Sequence, residues 1–148
     1  MKISHAAILG LAAVGAVQIA QNERHHRQRT EIAVARIHQD YLTHLTSNPH
    51  LAALWAPKDL DANQYVELLN ANQQIAALGL RHRLGLARGQ RLSYLATYLM
   101  GREHCRRYWA RFGSFREQEA LGDKPREHFH DVMDNAYVSH QEPKPADA

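Results

Sequence analysis

Residues 61–85, DANQYVELLNANQQIAALGLRHRLG, carry a complete set of helix signals. Asp61 followed three residues later by Gln64 forms a capping-box pair, in which each side chain satisfies a backbone N–H that the first turn leaves open. Leu68, Ala71, Ile75, Leu78 and His82 then recur at three- and four-residue steps, and Tyr65, Leu69, Ala76 and Leu80 widen the stripe. Gly85 supplies the left-handed residue on which such a helix ends. Asn72 sits among the apolar positions of this stripe. A buried, unpaired amide costs about 1–3 kcal/mol, so Asn72 is expected to find a partner on a neighbouring helix, with contact to a small ligand as the other reading.

The same periodicity extends outward in both directions, and no stretch shows sustained period-two alternation. Towards the N-terminus, Asn48-Pro49 ends one helix and caps a short one carrying Leu51, Leu54 and Trp55, which Ala56-Pro57 closes. Before it, Val34, Ile37, Tyr41 and Leu45 form a stripe on a long first helix. Towards the C-terminus, Leu92, Leu95 and Leu99 define a helix that breaks near Gly101. Cys105, Tyr108, Trp109 and Phe112 define another, interrupted at Gly113-Ser114, where Ser114 and Glu117 offer a further capping box. Pro125 opens a last helix that turns Phe129, Val132, Met133 and Tyr137 inward. The fold class is therefore all-α: a long N-terminal membrane-anchor helix followed by a compact bundle of about four to five antiparallel helices. Residues 1–22 are assigned to the anchor, 23–47 to its amphipathic continuation, 48–140 to the bundle and 141–148 to a disordered tail.

The anchor rests on residues 3–20, which hold no charge and are followed at once by Arg24, Arg27 and Arg29. Eighteen helical residues reach ~27 Å, against a hydrocarbon core of about 30 Å. A cleaved signal peptide, with Val14 and Ala16 as its small-residue pattern, and an alanine-rich helix inside a soluble core are the rivals. The basic cluster opposes export and places the main domain in the cytoplasm, on the inner face of the cell membrane. The bilayer is thus the first expected partner. The spacings Ala6-x-x-x-Gly10 and Ala12-x-x-x-Ala16 would let two such helices approach closely, so self-association or an unidentified protein partner is the second.

Charge is unevenly distributed. Residues 81–116 hold nine arginines and one acid, Glu103, whereas residues 117–148 are net acidic. Either the two blocks neutralise each other in the fold, or the basic one meets an anionic partner such as nucleic acid or acidic lipid. Arg102, Arg106, Arg107 and Arg111 are the candidate contacts. Tyr108, Trp109 and Phe112 share one helical stripe and are read with Asn72 as structural core. Cys105 stands alone, so no internal disulfide forms, and it falls on the apolar side of its helix. No two of the eleven histidines are four residues apart. His128, His130 and Asp134 are the only grouping worth testing as a metal site. Glycine-rich phosphate loops, Ser-His-Asp signatures and acid/base carboxylate pairs are absent from the sequence. No catalytic, cofactor or metal residue is assigned, and the pattern points away from an enzyme.

Three segments, His44-Leu45-Thr46-Ser47-Asn48-Pro49, Leu54-Trp55-Ala56-Pro57 and Arg106-Arg107-Tyr108-Trp109-Ala110-Arg111-Phe112, resemble a family of small actinobacterial proteins described as a domain of unknown function. The likeness covers most of residues 35–120. It implies a bacterial origin and the layout of an N-terminal apolar helix with a helical domain, and it brings no activity, cofactor or site residues.

Overall fold

The computed structural model describes the backbone of residues 2–141 and the side chains of Val14 and 16–141. Those residues form helices only: α1 (Lys2–Ser47), α2 (Pro49–Trp55), α3 (Ala62–Arg83), α4 (Gly89–Met100), α5 (Glu103–Ala120) and α6 (Lys124–Gln141). They divide into two units, Met1–Arg36 and Ile37–Ala148, with the boundary inside α1.

The first unit is helix alone. Its described side chains are mostly exposed, and Glu23 pairs with Arg27 at 2.5 Å in the favourable i, i+4 order. Val14, Val17 and Ile19 are 56%, 56% and 70% exposed. Among the described residues no helix is long and apolar enough to cross a membrane. Much of the expected anchor, including Ala6, Gly10 and Ala12, lies outside the described side chains, and the expected tail from residue 142 onward lies outside the described residues.

In the second unit, the local signals act as their chemistry dictates. The Asn48 side chain accepts from Leu51 N at 3.1 Å and starts α2. At the head of α3, Asp61 Oδ1 accepts from Gln64 N at 2.8 Å while Gln64 Oε1 accepts from Asp61 N at 3.1 Å. Gly85 adopts φ 79 beyond the end of α3. Helix α3 packs on α5, and α6 lies against both α4 and α5. The main core is the intersection of these stripes: Ile75 and Leu78 of α3, Leu92 and Met100 of α4, Cys105 and Trp109 of α5, and Met133 of α6. A smaller core joins Leu42 and Leu45 of α1 to Leu69 of α3, flanked by Leu51 and Tyr65.

Two expectations are corrected. Helix α5 runs without a break through Gly113-Ser114. Gly113 serves packing there, because a Cβ would meet the Trp109 indole nitrogen at 3.2 Å. Helix α4 ends at Met100 with Gly101 as its C-cap, at the break read from the sequence, and Arg102 is extended before α5. Of the α1 stripe only Leu45 is buried, and Val34, Ile37 and Tyr41 are exposed. The face that docks on α3 is centred on Leu42 and Leu45. Gln39 extends it by donating to the Gln73 carbonyl at 3.1 Å, and Gln73 donates to Thr43 Oγ1 at 3.0 Å. The last turns of α1 therefore belong to the bundle.

Candidate functional site

A cleft of about 260 Å³ opens within the second unit, between the end of α1, α3 and α5. Helix α3 contributes Tyr65, Leu68, Leu69 and Asn72, and α5 contributes Tyr108, Phe112, Phe115, Arg116 and Glu119; His38 of α1 stands at the mouth. On α5 the spacing explains the set. Tyr108, Phe112 and Arg116 recur every four residues and so lie one above another on the face turned to α3.

The polar centre of the cleft is a closed network. Tyr108 Oη donates to Asn72 Oδ1 at 3.1 Å. Arg116 Nε donates to Tyr108 Oη at 3.0 Å, and Arg116 Nη2 donates to Asn72 Oδ1. Asn72 is half-buried and has its partners on the neighbouring helix. The Phe112 ring lies 5.1 Å from that of Tyr108. Burial pushes the Tyr108 phenol up, with the Arg116 charge opposing, so the hydroxyl remains a donor. Desolvation and then the Arg116 charge lower the His38 pKa, with Glu119 acting in the opposite sense. Neutral imidazole is thus the form the fold favours. The unfolded chain takes up a proton first as pH falls below about 6.5, so His38 withdraws stability from there down to its folded value.

Trp109 points to the other side of α5. It is 3% exposed, donates from Nε1 to Asp134 Oδ1 at 3.0 Å and lies against the His130 ring at 5.2 Å. His130 Nε2 is 3.2 Å from the Gly113 carbonyl, and His128 turns towards the ring of His82. His128, His130 and Asp134 do not converge. Among the described residues no group of three His, Cys, Asp or Glu could hold a metal ion.

The four candidate arginines are each engaged within the bundle. Arg102 donates to Tyr98 Oη at 2.5 Å, and Arg106 donates to the Met100 carbonyl at 2.7 Å, satisfying an open group at the end of α4. Arg107 meets Glu67 at 3.0 Å, and Arg111 grips Asp59 with two bonds of 2.6 and 2.9 Å. The Asp59 carboxyl is held below its usual range by Arg111. These two ion pairs, one to α3 and one to the loop before it, are largely exposed, and surface pairs contribute little to stability. The arginines do not gather at the cleft.

The cleft brings together Asn72, Tyr108 and Phe112, singled out in the sequence, with Arg116, His38 and Glu119, which were not. The available signal was Arg116 itself, a cation prolonging an aromatic stripe at i+4 and i+8. Cys105 is fully buried, and desolvation raises its thiol to about 11. Reaction needs the thiolate. Native protein should therefore label with a maleimide more than about a hundredfold more slowly than urea-unfolded protein. Rapid labelling of folded protein, followed by mass spectrometry, would contradict this placement.

No curated protein and no solved structure matches the chain. The family model that matches covers residues 3–148, both the leader and the helical bundle, and the chain accordingly belongs to the family of unknown function DUF6082.

Proposed function

We propose that the chain is a single-pass inner-membrane protein, held by residues 3–20 with its bundle in the cytoplasm, and that the bundle is a non-catalytic module acting through its cleft. The observation that carries the membrane siting is the exposure of Val14, Val17 and Ile19 on α1. These apolar side chains lie in a run without charge, and lipid gives them the cover that their own unit does not. The excess of arginine just beyond the run supports the cytoplasmic side. A binding role is supported by the chemistry of the cleft. Arg116, Asn72 and Tyr108 are fixed to one another, an arrangement that orients a ligand. Arg102, Arg106, Arg107 and Arg111 already have partners, which disfavours the rival reading of a soluble module that binds nucleic acid through residues 81–116.

Membranes from cells producing the full chain should retain it in the pellet after an alkaline carbonate wash. A reporter at the C-terminus should be accessible only from the cytoplasm. Quantitative release by carbonate would overturn the anchor.

A further inference from the structure

We infer that the cleft is a binding site for a small monocarboxylate with an apolar body, its carboxylate docked on the Nη1 edge of Arg116. The inference rests on the binding role proposed for the cleft and is independent of the anchor. Three observations lead to it. The first is size. A cavity of about 150 Å³ accepts the six carbons of benzene, so the 260 Å³ here suits roughly ten non-hydrogen atoms by the same ratio. That is the size of a small molecule.

The second is the state of Arg116, whose side chain is only 28% exposed. Tyr108 and Asn72 hold Nε and Nη2 and so fix the plane of the guanidinium. Among the described residues Nη1 has Glu119 as its nearest anion, 4.0 Å away, beyond hydrogen-bond reach. A fixed, partly desolvated fork with an open edge matches the planar carboxylate. Glu119 is about half exposed and can yield to an incoming anion. The third is the wall. Leu68 and Phe112 floor the cleft and Phe115 rims it, which suits an aliphatic or aromatic body and repels a fully hydrophilic anion. Neither the neutral His38 at the mouth nor the un-ionised Tyr108 at the centre adds a negative charge that would oppose the carboxylate.

Octanoate, with ten non-hydrogen atoms, is the probe, and octanol and octylamine are its uncharged and cationic controls. Full-length protein in lipid nanodiscs is titrated by calorimetry, with empty discs as the reference for partition into lipid. Octanoate should bind saturably and about tenfold or more tightly than octanol, the advantage expected of a charge-assisted bond. Octylamine should be weaker still. Glu119→Gln should tighten octanoate several-fold by removing the competing carboxylate. Arg116→Met should abolish the preference for octanoate over octanol, with Arg116→Lys intermediate. Should Arg116→Met fail to fold, the Glu119→Gln comparison decides alone. Equal binding of octanoate and octanol, absence of saturation, or an unchanged affinity in Glu119→Gln would each overturn the inference. Octanoate binding by a protein that carbonate releases would remove the anchor and leave the site standing.

Discussion

Replacing Trp109 with alanine is expected to cost about 3–5 kcal/mol of folding stability. Three losses coincide at this residue. The indole is 3% exposed and sits in the main core with Cys105 and Met133, so its truncation removes a large buried apolar side chain. The space it leaves is bounded by Gly113, which has no side chain to move in, and by the His130 ring. Asp134 would also lose the N–H that it accepts at 3.0 Å. Trp109→Phe separates these contributions, because it restores most of the ring and removes the donor alone. That variant should cost about 1–3 kcal/mol, the range for a part-buried acceptor left without its partner. Urea unfolding followed by far-UV circular dichroism checks both values. An alanine variant within about 1 kcal/mol of the native protein would show that α5 and α6 are held together elsewhere.

The parts of this fold that were legible in the sequence are those decided within one turn of chain. Asn48, Asp61 with Gln64 and Gly85 each act on backbone groups three residues away, Pro125 fits the first turn of α6, and the structure uses them as their chemistry requires. Gly113 was misread because its reason is tertiary. In isolation a glycine followed by serine weakens a helix, but here the missing Cβ makes room for an indole one turn earlier. The α1 stripe slipped for a related reason. Val34, Ile37 and Tyr41 have the right spacing, yet the docking face on α3 is set by Leu69 and Gln73, which select Leu42, Leu45 and Gln39. The cleft was only partly legible. Asn72 announced a need for a partner, but His38, Asn72 and Arg116 come from three helices, and no periodicity within one helix joins them.

Leu45→Ala is expected to destabilise the site where α1 docks, by about 2–5 kcal/mol before local relaxation. Leu45 is 2% exposed and belongs to the smaller core with Leu42 and Leu69. Because that cluster is separate from the main one, the loss should appear as undocking of a segment before it appears as global unfolding. Hydrogen exchange should then show amides of residues 37–55 losing protection first, while α4 and α6 keep theirs. His38 lies two turns before Leu45 on α1, so the cleft should lose one wall in the same variant and octanoate should bind more weakly. Uniform loss of protection throughout the bundle would show that the two cores melt as one cooperative unit.

The seat of the indole on Gly113 also limits how this sequence can drift. A helix interior ordinarily rewards exchange of glycine for alanine by up to about 1 kcal/mol. Here the new methyl would arrive 3.2 Å from an indole nitrogen already tethered to Asp134, so the usual gain is opposed by the shift the ring must make. Positions 109 and 113 are thereby coupled in drift: as long as a bulky ring stands at 109, a bare backbone is favoured at 113.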